Sequence, residues 1–222
     1  MKANIFANGV IERLDLIPPL IQPGEKILAV DGGAFYVKTL GLVPDMLIGD
    51  LDSINQDVLD WVASYEIPIK RFPVEKNKTD LELAIQEALH IGCVDLVVIG
   101  ALGGRFDQAL GNLALLIAFV AQQAHIAFDD GLERVDIIHS ELVLHGAVGD
   151  RVSLLPVCNP VEGIQTTGLR YPLHDEMLYP QKTRGISNRM ESSTATIKIR
   201  SGELLCIHTR LHLGKENGGK HA

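Results

Sequence analysis

Four short segments of this 222-residue chain carry side chains able to bind phosphate or a divalent cation. The first, Gly49-Asp50-Leu51-Asp52-Ser53, holds two carboxylates two residues apart. In extended chain such residues point to the same side, and a hard cation such as Mg²⁺ takes carboxylate oxygens together with phosphate oxygens. The same residues also fit an acidic turn in which Ser53 starts a helix. The second is Lys76-Asn77-Lys78-Thr79-Asp80. Thr79 and Glu82 have capping-box spacing, and Asp80 falls in a first helical turn, where a negative charge complements the helix dipole. Two lysines crowding that turn could also meet phosphate oxygens. The third, Gly100-Ala101-Leu102-Gly103-Gly104-Arg105-Phe106-Asp107, sets glycines before a helix, so backbone amides can approach a phosphate. Arg105 could grip its oxygens bidentately. A tight turn with a solvated arginine is the plainer alternative. Neither a Walker loop nor a dinucleotide fingerprint occurs. Asp31-Gly32-Gly33 adds a carboxylate and flexible backbone, or simply a turn.

These segments fall where strand-like runs end. Apolar runs at 4–7, 26–30, 46–48, 67–72, 94–99 and 125–128 read as strands, and 34–40, 55–64 and 107–123 as helices. The clearest helix starts at Thr79: Leu81, Ala84, Ile85, Ala88 and Leu89 form one apolar stripe, and Gly92 stops it. Strands separated by helices imply parallel pairing with right-handed crossovers. Ligands bind such sheets at the carboxyl ends of the strands, where the charged and glycine-rich motifs lie.

After about residue 140 no helix-length period remains. Short alternating runs at 141–145, 151–155, 194–200 and 203–210 predict a β domain, and Ser201-Gly202 reads as the turn of a hairpin joining the last two. The expected fold class is an α/β N-terminal domain with a mainly parallel sheet, followed by a smaller all-β sandwich domain. The boundaries are 1–131, 132–213 and a flexible tail at 214–222.

Lys plus Arg is 20 and Asp plus Glu 28, a net charge of −8, which argues against a nucleic-acid binder. Three dispersed cysteines form no CxxC pair or disulfide framework, which favours a reducing, cytoplasmic setting. The N-terminus lacks a signal peptide's apolar run, and the continuous apolar part of the longest uncharged stretch, 113–121, is too short to span a bilayer. His208 and His212 show no metal pattern, Cys93 reads as core filler, and most aromatic residues are expected in the core.

Taken in order, these motifs resemble the thiamine pyrophosphokinase family. The matching segments are Asp31-Gly32-Gly33-Ala34, Gly49-Asp50-Leu51-Asp52-Ser53, Lys78-Thr79-Asp80-Leu81-Glu82 and the run from Gly100 to Asp107. Thr167-Gly168-Leu169-Arg170-Tyr171-Pro172-Leu173 and Arg184-Gly185-Ile186-Ser187-Asn188 follow in the β-rich half. The resemblance spans about residues 25 to 210. It implies transfer of a diphosphoryl group from ATP to thiamine, giving thiamine diphosphate and AMP. It also implies a homodimer whose sites lie between one subunit's α/β domain and its partner's sandwich. On that pattern Asp50, Asp52 and Asp80 hold Mg²⁺ and, with Arg105, serve catalysis. Asp31, Gly32, Gly33, Lys78, Thr79, Gly103, Gly104, Arg105 and Asp107 bind ATP, and Ser187 and Asn188 bind thiamine. Two departures stand out. Many bacterial members carry histidine where this chain has Gln108, so position 108 is given no acid–base role. Some relatives stack the pyrimidine on a tryptophan of the second domain, whereas the one tryptophan here is Trp61. The rival readings are a pyrophosphokinase for another hydroxymethyl heterocycle, such as a pterin, and a non-catalytic nucleotide or thiamine sensor.

Overall fold

The computed structural model of the chain describes residues 1–52, 54–73, 77–120 and 124–214. Ser53, Lys76, the end of the helix expected to reach Gln123 and the expected tail beyond Gly214 lie outside the described residues. The chain divides into two compact units, Met1–Gly131 and Leu132–Ala222.

The first unit alternates strands and helices: β1 (Lys2–Phe6), β2 (Lys26–Val30), α1 (Gly33–Thr39), β3 (Met46–Gly49), α2 (Gln56–Ser64), β4 (Ile69–Arg71), α3 (Asp80–His90), β5 (Asp95–Ile99), α4 (Phe106–Val120) and β6 (His125–Asp129). All six strands run parallel, in the order β6-β5-β1-β2-β3-β4. Most are near-continuous apolar runs. In β2, Ile27, Leu28, Ala29 and Val30 are all buried, as a strand covered on both faces requires. Phe6, Ala29, Leu47, Val97 and Ile99 pack on one face against Ala34 and Val37 of α1 and Val58 and Val62 of α2. Two 3₁₀ turns, Leu14–Leu16 and Pro18–Leu20, carry the chain from β1 to β2 in place of a helix. β1 is central. The chain runs outward from it through β2, β3 and β4, then returns to its other side as β5. The loops after β1 and β5 therefore diverge at a topological switch point, where such sheets open a crevice.

Among its described residues, the second unit is all β apart from one short turn of helix. Its strands are β7 (Glu133–Ile138), β8 (Glu141–His145), β9 (Arg151–Pro156), β10 (Val161–Thr167), β11 (His174–Leu178), β12 (Asn188–Arg189), β13 (Thr194–Lys198) and β14 (Leu204–Thr209), followed by α5 (Leu211–Gly214). They form two antiparallel layers, β12-β9-β14-β7 and β11-β10-β13-β8. Val152, Leu154, Leu204 and Cys206 from one layer meet Leu144, Ile164, Ala195 and Ile197 from the other in a single core.

Two expectations are corrected. The segments around Ser201-Gly202 are not a hairpin: β13 pairs with β8 and β10, whereas β14 pairs with β7 and β9. Ile199 N–H donates to Ser140 O at 2.8 Å and Arg200 N–H to Glu162 O at 2.9 Å, so the connection is held as it passes between layers. Alternation marks a strand but does not name its partner. Nor are most aromatics in the core. Phe6, Phe119 and Phe128 are buried, while Phe35, Tyr65, Phe106, Tyr171 and Tyr179 are exposed. Among the described residues, no helix is long and apolar enough to cross a membrane.

Candidate active site

A cavity of about 500 Å³ opens at the switch point of the first unit. Three strand-end loops and the N-terminus of α3 build it. After β1, Ala7 N–H donates to Ile99 O at 2.8 Å and Gly9 N–H to Gly100 O at 3.1 Å, so the loop of residues 7–10 continues the pairing with the loop after β5. The glycine-rich turn then lies directly on that first loop. A Cβ on Gly103 would stand 2.0 Å from Val10 O, so only glycine allows this approach.

The loops after β2 and β3 are locked through Asp31. Its carboxylate accepts from Leu51 N–H at 3.3 Å, and a Cβ on Gly49, at φ +144°, would lie 1.7 Å from its Oδ1. Asp31 and Leu51 both adopt left-handed backbone, with φ of 45° and 68°. Aspartate tolerates this; a buried leucine does not do so readily, and such outliers cluster at functional sites. The conformation of Leu51 also corrects the extended-chain reasoning for the two aspartates. The loop turns, and Asp50 Oδ1 accepts from Asp52 N–H at 3.2 Å.

Thr79 caps α3 as its spacing predicts, its hydroxyl accepting from Glu82 N–H at 3.2 Å. The reciprocal half of the box is not made. Glu82 turns instead to Gln86 Nε2 at 3.3 Å and Lys78 Nζ at 3.6 Å, and Lys78 lies along the helix with Gln86 Oε1 3.0 Å away. Asp80, the first residue of α3, lines the cavity together with Asp31, Gly103, Gly104 and Arg105.

Arg105 and Asp107 form a two-point ion pair with each other, with side chains 72% and 66% exposed. The Arg105 hydrogen bond holds the Asp107 carboxyl below its ordinary value, and Asp107 raises the guanidinium in return. A guanidinium already paired with an exposed carboxylate can exchange that partner for phosphate oxygens at little desolvation cost.

Asp50 and Asp52 stand on the neighbouring loop and do not line the cavity. Among the described residues no three His, Cys, Asp or Glu side chains are arranged to hold a metal ion by themselves. Mg²⁺ on a nucleotide does not need such a cage, since one or two carboxylates, phosphate oxygens and water complete its shell. The hard oxygen donors at these strand ends fit that chemistry.

The second unit presents the remaining predicted residues differently. Asn188 is buried and its amide is engaged. Oδ1 accepts from Tyr171 N–H at 3.0 Å and Arg189 N–H at 2.9 Å, and Nδ2 donates to Tyr171 O at 2.8 Å. The side chain thus pins the Tyr171 backbone as a strand neighbour would. Ser187 is exposed, at φ 62°, and its N–H donates to Ser153 Oγ at 3.1 Å. Tyr171 is 62% exposed, with the Arg170 guanidinium 5.8 Å from its ring centroid.

Asn8, Gly9, Val10 and Asn112 line the cavity without having been marked by the sequence analysis, and Gln108, which was given no acid–base role, lines it too. Asn112 had a signal, an amide inside the most apolar stretch of the chain; its Nδ2 holds Ala101 O at 2.9 Å, fixing the glycine-rich turn. Asn8 had none beyond its place at a strand end. The buried thiols do not line the cavity: burial raises the pKa of Cys93, and raises that of Cys206 well above an ordinary cysteine.

A parallel sheet with a glycine-lined, acid-bearing cavity at its switch point, followed by a β-sandwich, defines a two-domain protein of the α/β class with a ligand-sized crevice at its strand ends. Residues 18–128 match the family model described as thiamin pyrophosphokinase, catalytic domain, and residues 138–204 the one described as thiamin pyrophosphokinase, vitamin B1 binding domain. The chain belongs to the thiamin pyrophosphokinase family. It is 28% identical over 211 residues to thiamine pyrophosphokinase of Bacillus subtilis, covering 93% of this chain and 97% of that one. The crystal structure of the Bacillus subtilis protein superposes with a TM-score of 0.86 at 25% identity, covering 94% and 99% of the two chains. That of thiamin pyrophosphokinase from Geobacillus thermodenitrificans gives 0.82 at 25%, covering 94% and 97%.

Proposed function

We propose that this chain transfers the diphosphoryl group of ATP to the hydroxyl of thiamine, releasing thiamine diphosphate and AMP. The observation that carries the reading is the pair of family matches. The catalytic-domain match falls within the unit that holds the cavity, and the vitamin B1 match falls within the sandwich. The second match favours thiamine over a pterin as acceptor.

The reaction is an in-line attack by the thiamine hydroxyl on the β-phosphorus, with AMP leaving. Such transfers depend on positioning and charge neutralisation rather than covalent help. The α/β unit carries nucleotide and metal, and residues 132–213 carry the acceptor and the dimer contacts. Asp50, Asp52 and Asp80 would hold Mg²⁺, which supplies positive charge to the triphosphate. Backbone amides at Gly32, Gly33, Gly103 and Gly104 line the phosphate path. Arg105 leaves Asp107 to offset charge on the transferring group, and Lys78 and Thr79 flank it at the start of α3. Asp31 holds the loop bearing Asp50 and Asp52. Ser187 offers the exposed hydroxyl for the aminopyrimidine, with Asn188 beside it. The protein acts as a cytoplasmic homodimer, each α/β unit completing its site with the partner's sandwich.

The test is AMP release by the full chain with thiamine, ATP and Mg²⁺. One AMP per thiamine diphosphate is expected. Formation of ADP and thiamine monophosphate, or equal turnover of a hydroxymethylpterin, would overturn the assignment. For the shared site, mixing an Asp52→Asn protein with a Ser187→Ala/Asn188→Ala protein should restore activity once subunits exchange. Verified heterodimers without recovery would exclude it.

A further inference from the structure

Strand β8 ends the second layer of the sandwich, with β13 on one side only. Their pairing is regular from Glu141↔Lys198 to His145↔Thr194. Ser140 O accepts from Ile199 N–H at 2.8 Å and Gly146 N–H donates to Ser193 O at 3.0 Å, which fixes the phase of the ladder. Residues of an antiparallel strand alternate in which side their backbone groups face. Leu142 and Leu144 therefore bond to β13, while Glu141, Val143 and His145 turn N–H and C=O outward. These are the exposed residues of the strand, Val143 at 45%. Three other edge strands are blunted in ways that hinder strand addition. β4 has three residues and carries Lys70 and Arg71, β12 has two residues, and β11 breaks register against β10. β8 contains no proline, glycine, lysine or bulge.

We infer that β8 is the edge at which two copies of this chain join, pairing antiparallel across a two-fold axis at Val143. The inference gives the proposed homodimer its contact and rests on that reading. The sequence Glu-Leu-Val-Leu-His is self-complementary in this register. Val143 faces itself, and Glu141 faces the partner's His145, an acid opposite an imidazole. On its other side Glu141 holds Lys198 at 3.1 Å, so the carboxylate stands between a cation and the imidazole. The outward backbone groups of Glu141, Val143 and His145 all find partners, as strand addition requires. A slip of one residue sets outward groups against inward ones, and a slip of two breaks the acid–imidazole pairing. The inner face fits as well. Leu144 is buried in the sandwich core, whereas Leu142 packs against that core only partly covered. In the joined sheet Leu142 lies opposite the partner's Leu144, which closes the core at its open edge.

Three replacements of Val143 test the contact on the full chain. Val143→Lys places like charges against each other at the axis. Val143→Pro removes an outward N–H that β13 does not use, so the ladder within the chain is kept. Val143→Cys, combined with Cys158→Ser to remove the exposed native thiol, sets two thiols on strands about 5.5 Å apart between Cα atoms, within disulfide reach. Sedimentation should show a wild-type dimer. Val143→Lys and Val143→Pro should each raise its dissociation constant about tenfold or more without changing the far-ultraviolet circular dichroism. Mild oxidation should link the Val143→Cys protein into a covalent dimer, but not a Thr196→Cys protein in the same background, since Thr196 lies one strand inward, opposite Val143 on β13. An unchanged dissociation constant in either variant, or equal cross-linking through Thr196→Cys, would overturn β8 as the contact and leave the homodimer standing. A monomeric wild type would overturn the homodimer and the strand contact together. The proposed reaction is read separately, as AMP release by the wild-type chain.

Discussion

The two units use polar side chains in opposite ways. In the α/β unit the candidate residues sit on loops beyond strand ends, and their heads are held close to the cavity: Asp31 by Leu51 N–H, Arg105 by Asp107. In the sandwich, Asn188 is buried and commits three hydrogen bonds to its own chain, leaving Ser187 and Tyr171 to face outward. A parallel sheet brings distant loops to one edge by topology alone. A sandwich loop has no such edge and must be shaped by a side chain acting as a strand neighbour. On the proposed function, a candidate residue in the first unit would meet the ligand directly, while Asn188 in the second would act by holding the Tyr171 backbone.

This contrast can be broken by experiment. Asp52→Asn or Asp80→Asn should leave the fold intact and lower kcat by roughly a hundredfold or more, the scale for removing one preorganised electrostatic partner. Near-normal AMP production by the folded variants at limiting Mg²⁺ would remove the metal assignment. Gly103→Ala forces its Cβ against Val10 O and should cost about 1–3 kcal/mol, read by urea denaturation, with weakened ATP binding. Unchanged nucleotide affinity would show that the interlocked loops do not shape the phosphate site.

Asn188→Ala leaves the Tyr171 N–H and C=O unpaired and should destabilise the second unit by about 1–3 kcal/mol. It should raise the KM for thiamine while sparing that for ATP. Asn188→Asp, which keeps the acceptor and loses the donor, should recover part of the stability. Equal effects on both substrates would end the division of labour drawn here.

The smallest effect concerns acid stability. Asp150 is buried, which by itself raises its pKa, but Ala147 N–H at 2.9 Å and His212 and His208 at 2.9 and 3.3 Å outweigh burial and lower it below 3.8. A depressed folded pKa stabilises the native state above the unfolded value and loses that stability as pH falls through the folded one. The second unit should therefore weaken below about pH 4, and Asp150→Asn should flatten that dependence in denaturation curves recorded against pH.

Much of this was legible along the chain because it is local. The apolar stripe of α3 and its Thr79 cap, the buried runs of β2 and β5, and the glycine-rich turn before α4 all depend on residues within a few positions of one another. The thiamin pyrophosphokinase motifs are of the same local kind. The false hairpin at Ser201-Gly202 shows the limit, since two adjacent alternating runs joined by a turn belong to opposite layers. The exposed aromatics show it again. Phe35 and Tyr171 have the composition of core residues, and only their surroundings place them at a hollow's wall and on a pinned loop.

Residue type and spacing alone determined the strands and α-helices of the first unit, four strands of the second (β8, β9, β13 and β14, but not β7, β10, β11 or β12), and which short segments could bind phosphate, because helix period, strand alternation and turn chemistry are written within a few residues. Tertiary structure decided what stands next to what: Asn8 over Gly32, Gly103 against Val10, Asp31 beneath Gly49, Asn188 around Tyr171. Those contacts join residues from 17 to 93 positions apart. They are selected by how whole layers bury their apolar faces, a quantity that no short window of sequence contains.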